Sequence, residues 1–88
     1  MSWKIEVKPT AEKSYLKLDK RTRKRIKKAL KGLEQEENPL FHHNVKPLTG
    51  QLQGDYRLRV GDWRLLFTPD KDKKIIYIYA ILPRGDAY

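Results

Sequence analysis

The stretch from Tyr56 to Phe67 constrains this chain more than any other. Tyr56–Val60 and Trp63–Phe67 place apolar residues at every second position, and only Gly61-Asp62 separates them. Period-two patterning on both sides of a glycine-containing pair predicts an antiparallel hairpin closed by a two-residue turn. Such a turn fixes the register. Tyr56 then faces Phe67, Leu58 faces Leu65 and Val60 faces Trp63, all on one side, which is the expected core face. The other side carries Arg57 opposite Leu66 and Arg59 opposite Arg64. Like charges directly across a ladder cost roughly 0.2–1 kcal/mol, and neither strand contains an acid to relieve them. A face that gathers Arg57, Arg59 and Arg64 at such a cost is a candidate anion site. The competing reading is a solvated face whose arginine stems lie along the sheet. Arg84 tips the balance. It shares the parity of Ile76, Ile78, Ala80 and Leu82, so it can approach the cluster if that last strand neighbours Trp63–Phe67. Converging guanidiniums, each a planar fork of donors, suit a phosphate.

The rest of the chain supplies the frame. Trp3, Ile5 and Val7 alternate with Lys4, Glu6 and Lys8, which reads as a half-buried strand. Pro9-Thr10 ends it, with Thr10 a helix cap, and Ala11, Tyr15 and Leu18 give a short helix to about Leu18. Asp19 is a second N-cap. Ile26, Ala29, Leu30 and Leu33 continue a helical stripe to about Gln35, and Asn38-Pro39 stops it. Residues 39–54 read as irregular and Pro69–Lys74 as a charged turn. Ile75–Leu82 is apolar on both faces, as a central strand is. The expected fold class is α+β: an N-terminal strand, a two-helix hairpin, then a three-stranded antiparallel meander, forming one small sheet packed on the helices. At 88 residues, 1–88 is expected to be a single domain.

Charge then narrows the partner. Lys and Arg total 20 against 11 acids, a net charge of +9, which points to a polyanion. Lys20, Arg21, Arg23, Lys24, Arg25, Lys27, Lys28 and Lys31 crowd the second helix with no acid among them. A solvated helix face is the ordinary reading of such a run. Beside the arginine hairpin, a track for a nucleic-acid backbone is the better one. The chain has no cysteine, which excludes a disulfide scaffold, a thiolate zinc site and a thiol nucleophile. His42 and His43 are adjacent in a loop, so their side chains are expected to diverge, and no further ligands complete a metal site. The longest apolar run, Ile75–Leu82, is far short of the ~20 residues of a spanning helix. The opening Met1-Ser2-Trp3-Lys4-Ile5-Glu6 has no apolar signal region. A cytoplasmic protein with no membrane partner, no metal and no cofactor is expected.

Three segments together resemble a known family. They are Leu48-Thr49-Gly50, the run Asp55-Tyr56-Arg57-Leu58-Arg59-Val60-Gly61-Asp62-Trp63-Arg64-Leu65-Leu66-Phe67, and Pro83-Arg84-Gly85-Asp86-Ala87-Tyr88. They are similar to the RelE/ParE toxin superfamily, and closest to its RelE branch of mRNA interferases. The likeness extends over the whole chain. It implies a toxin of a type II toxin–antitoxin pair that enters the ribosomal A site and cuts mRNA there. The 2′-hydroxyl attacks, a 2′,3′-cyclic phosphate is left, and no metal takes part. The implied partners are a cognate antitoxin, mRNA and the ribosome with its 16S rRNA. By motif, Arg64 and Arg84 match the arginines that hold and polarise the scissile phosphate, and Tyr88 matches a C-terminal tyrosine working near the 2′-hydroxyl or stacking on a base. Arg57 and Arg59 stand where the family often has lysines, one of which moves a proton. Arginine is a poor base at neutral pH, so the base is left between Tyr88 and a histidine of the 42–43 loop. The RNA- and ribosome-binding set is Lys20, Arg21, Arg23, Lys24, Lys27, Lys28, Lys31 and Lys46. The alternative the superfamily offers is a ParE-like inhibitor of DNA gyrase without nuclease activity.

Overall fold

The computed structural model describes residues 3–83. Its elements are β1 (Lys4–Val7), α1 (Pro9–Leu16), α2 (Lys20–Glu34), β2 (Val45–Pro47), β3 (Tyr56–Val60), β4 (Trp63–Asp70) and β5 (Ile75–Pro83), with short 3-10 turns at Pro39–Phe41 and Gly50–Leu52. They form one sheet in the order β1-β5-β4-β3-β2. β1 runs parallel to β5, and the other neighbours are antiparallel. The α+β class is as expected, with one strand more. β2 lies inside the stretch expected to be irregular. It is three residues long, ends in Pro47 and occupies the sheet edge, where a proline is tolerated.

The hairpin register is the expected one at every position: Tyr56 pairs with Phe67, Arg57 with Leu66, Leu58 with Leu65, Arg59 with Arg64 and Val60 with Trp63. Gly61 carries a φ of 59°, a left-handed turn conformation that costs a side chain about 1–2 kcal/mol. β4 runs on to Asp70, so Pro69 is in the strand and not in the turn. Beyond Phe67, β4 is paired with β5 alone, and there a residue without an N–H breaks no second ladder.

One face of the sheet packs under the helices. Leu58, Leu65, Phe67, Ile76 and Ile78 are buried against Ala11, Ile26 and Leu33, with Ala29 and Leu30 partly buried beside them. The stripe expected on α2 is therefore the one it buries. Thr10 does not cap α1. Lys8 holds that position, Pro9 is the first helical residue, and the Thr10 hydroxyl donates to the Tyr79 carbonyl at 3.0 Å. α1 stops at Leu16, short of Leu18, because the bonds Lys17 N–H to Ser14 and Leu18 N–H to Tyr15 tighten its last turn. Asp19 does occupy the N-cap of α2, and the Thr22 side chain first of all holds its carboxyl below the usual value.

Thr10 reaches an irregular point in the ladder. Leu66 pairs with Ala80 but Phe67 pairs with Ile78, so Tyr79 is an extra residue in β5. The extra residue flips the parity of everything after it. Ile76 and Ile78 face the core, then Ile81 does, while Ala80 and Leu82 move to the side of Leu66 and Arg64. The even-numbered positions of this strand do not share one face, contrary to expectation. Without the bulge, Leu82 would compete for the core and Ile81 would lie beside the arginines.

Candidate active site

The open side of the sheet carries its charge in two adjacent rows. Cross-strand partners share a face, so Lys46, Arg57, Leu66 and Ala80 form one row, and Arg59, Arg64 and Leu82 the next. Lys46 therefore belongs with the arginines and not with the helical track. Arg59 and Lys46 are exposed, while Arg57 and Arg64 are half-buried. Arg59 and Arg64 flank a cleft of about 60 Å³ at the turn, closed by Gly61 and Asp62. Small-molecule sites run to ~300–1,000 Å³, so this cleft suits an ion such as one phosphate and not a whole nucleoside. Asp62 puts one carboxylate at the cleft, in the turn and outside both strands.

Local bonds hold this face in shape. The Asn44 carbonyl accepts the Arg59 N–H at 2.9 Å and Arg57 Nη1 at 3.4 Å, which ties the 42–44 loop to β3. At the other end, Asp55 accepts the Tyr79 hydroxyl at 2.8 Å and the Thr68 hydroxyl at 2.9 Å. Asp55 stands just before β3, so its two oxygens join β3, β4 and the bulge of β5. Leu66 and Leu48 are buried near this level of the sheet although the core lies elsewhere.

The clamp carries a pH-dependent prediction. Burial, then the hydrogen bond and charge of Asp55, hold the Tyr79 hydroxyl well above its ordinary value near 10. A raised folded-state value favours the protonated form, so its stabilisation is complete below about pH 10 and is lost as pH climbs above that. Tyr79→Phe should lower stability by about 1 kcal/mol at neutral pH. The gap between the two proteins should narrow above about pH 10 in parallel urea titrations. A gap that is constant to pH 11 would place the Tyr79 contribution in packing alone.

The other expected site residues fall in three groups. Arg84 and Tyr88 lie outside the described residues. On α2, Lys20, Arg21, Lys24, Lys27, Lys28 and Lys31 are exposed, while Arg23 is half-buried and its carbonyl accepts the Tyr15 hydroxyl at 3.2 Å. Lys27 lines an apolar groove between the two helices and the sheet, and Lys28 lines a different groove beside β3. Arg25 stands apart from its neighbours in the run. Its guanidinium lies over the hairpin turn, so that a Cβ added at Gly61 would come within 2.8 Å of it. Nothing in the charge run distinguishes Arg25, because its role depends on where the helix crosses the turn.

His42 and His43 do not diverge. Their rings stack with centroids 4.4 Å apart and planes 23° apart. His42 Nδ1 accepts the Asn44 N–H at 3.1 Å, which turns its ring back over the loop. Among the described residues, no group of three or more His, Cys, Asp or Glu could hold a metal ion. No helix there is long and apolar enough to cross a membrane.

Comparison with known proteins agrees with this architecture. Residues 5–88 match the family model described as the ParE toxin of the type II toxin–antitoxin system, parDE. The fold is similar to the toxin–antitoxin complex RelBE2 of Mycobacterium tuberculosis, at a TM-score of 0.82 and 22% identity over 96% of this chain and 100% of that one. The archaeal RelE–RelB complex of Pyrococcus horikoshii is similar at a TM-score of 0.79 and 29% identity, over 99% of this chain and 100% of that one. The isolated E. coli RelE toxin is similar at 0.70 and 19%, over 97% of this chain and 87% of that one. No curated protein sequence matches the chain.

Proposed function

This chain belongs to the ParE toxin family of type II toxin–antitoxin systems, within the RelE/ParE superfamily, and on that premise we propose that it is a metal-independent endoribonuclease cutting mRNA in the ribosomal A site. The observation that carries the reading is Arg59 directly opposite Arg64, with Arg57 and Lys46 in the next row of the same open face. Two planar forks of donors facing one cleft, one row from two further cations, suit a phosphate held between them.

The reaction is the one that the resemblance to RelE implies. The 2′-hydroxyl gives its proton to a general base and its oxygen bonds to the adjacent phosphorus, as the bond from phosphorus to the 5′-oxygen breaks and that oxygen takes a proton from water or the protonated base. The products are a 2′,3′-cyclic phosphate and a 5′-hydroxyl. Arg64 and Arg84 hold the phosphate and polarise it, while Arg57 and Arg59 stabilise the charge of the pentacoordinate phosphorane. Guanidinium is a poor base at neutral pH, so another group takes the 2′-proton. His42 has its Nδ1 engaged by Asn44, which leaves His43 and Tyr88 as the candidates for that step. The exposed cations of α2 contact 16S rRNA phosphates, and binding then weakens steeply with salt. The Pyrococcus relative is an RelE–RelB complex. By analogy an acidic segment of a cognate antitoxin covers the cationic face here, in the cytoplasm where ribosomes are.

The test is mRNA cleavage in a cell-free translation reaction, mapped by primer extension with and without ribosomes on the message. Cuts confined to ribosome-occupied codons support the reading. The match to a ParE family model favours one second reading, gyrase inhibition without cleavage. An intact message together with loss of supercoiling by gyrase would replace the first reading with that one.

A further inference from the structure

A second groove opens on the far side of Arg59. It measures about 440 Å³, and its walls include Arg25, Lys28 and Gly32 of α2, His42 and His43 of the following loop, and Arg59 of β3. Arg59 lines both this groove and the small cleft it shares with Arg64. The two spaces therefore adjoin at Arg59. The cleft has the size of an ion. The groove has the size of a small-molecule site.

Three features of the groove point to one kind of ligand. Its charged side chains are all basic: Arg25, Lys28 and Arg59. It holds a preformed aromatic surface, because the His42 ring is fixed by the Asn44 N–H and the exposed His43 ring stacks upon it. And Gly32 stands within a helix, with no positive φ to require it and no atom within 4 Å of where its Cβ would be. Glycine is a poor helix former, and its missing side chain leaves room for something that lies against the helix.

We propose that this groove is a nucleotide subsite for single-stranded RNA, taking the residue next to the scissile phosphate, with its base on the His42–His43 stack and its phosphate between Arg25, Lys28 and Arg59. The subsite rests on the reading of the open face as an RNA-cleaving site. A strand leaving the Arg59–Arg64 cleft passes Arg59 and enters the groove directly. Stacking accepts any base, because each has a π face. The subsite therefore adds affinity and fixes the strand's direction across the cleft without dictating sequence. An acidic peptide would satisfy the cations but has no use for stacked imidazoles.

The measurement is binding of a fluorescently labelled, 2′-O-methyl RNA hexamer to the purified full chain, followed by anisotropy. The missing 2′-hydroxyl prevents cleavage, so affinity is read independently of the reaction. His43→Ala and Gly32→Gln should each weaken binding about 10-fold, while Gly32→Gln and Gly32→Ala raise the melting temperature. Opposite movements of stability and affinity at position 32 are what a purely structural glycine does not produce. Parent-like affinity in both His43→Ala and Gly32→Gln overturns the subsite, as does a parent protein that does not bind the hexamer. Parent-like RNA affinity with loss of binding to a poly-glutamate peptide also overturns it, and assigns the groove to a protein partner. Reduced hexamer binding with no cleavage on ribosomes would keep the subsite and remove the nuclease reading. Ribosomal cleavage with unchanged hexamer binding would do the reverse.

Discussion

Arg64→Ala should lower ribosome-dependent cleavage by about 10²–10³-fold, the usual effect of losing one preorganised donor to a developing charge, and leave the melting temperature near that of the parent. The argument is geometric. Arg64 faces Arg59 across the ladder and Leu82 on its other side. Its own strand neighbours Trp63 and Leu65 point into the core side. Shortening Arg64 removes a guanidinium from the cleft without opening a cavity among the core residues. Arg64→Lys keeps the charge but loses the two-pronged donor, and it should recover only part of the rate. Single-turnover cleavage on programmed ribosomes, together with thermal unfolding, reads both quantities. Full activity in Arg64→Ala would remove the phosphate-holding role. Lost activity with a collapsed melting transition would make Arg64 a structural residue.

Much of this site was legible in the sequence, for a physical reason. A two-residue turn leaves no freedom in register, so the alternation of Tyr56–Val60 and Trp63–Phe67 specifies both the core face and the arginine face. The helical stripe Ile26, Ala29, Leu30 and Leu33 was equally plain, since period and burial agree along α2. What stayed hidden depends on contacts between distant segments. β2 is three residues ending in proline, too short for any period to show, and it exists because β3 offers an edge. The bulge at Tyr79 leaves no mark in an apolar strand. Its stabilisers, Thr10 and Asp55, lie 69 and 24 residues away. Thr10 has the residue type of a cap and spends its hydroxyl on the bulge carbonyl instead. Arg25 was one basic residue among many until α2 was seen to cross the turn at Gly61. The histidine stack required the loop bond from Asn44 to His42 Nδ1, which two adjacent letters do not announce.

Phe67→Ala should destabilise the protein by about 3–5 kcal/mol, and Phe41→Ala by less than about 0.5 kcal/mol. The same ring is removed in both, so the difference is environment alone. Phe67 is 0% exposed and Phe41 is 85% exposed. Phe67 lies where β4 meets the irregular step of β5, pairing with Ile78 on one side and Tyr56 on the other, and its ring stacks on Tyr56 at 5.8 Å. Truncation leaves a cavity at the point where the sheet changes register, so the walls cannot close over it without moving the bulge. In a domain of this size each kcal/mol shifts the melting temperature by roughly 4–8 °C. Phe67→Ala should then melt at least about 12 °C below the parent, with Phe41→Ala almost superimposable on it. The bulge also decides which β5 residues stand beside Arg64. Any Phe67→Ala protein that remains folded should therefore cleave less well, with its losses tracking the unfolded fraction and any slip of β5. That pattern separates it from Arg64→Ala, where rate falls and structure stays. Equal stability losses at Phe67 and Phe41 would contradict the packing described for the core face.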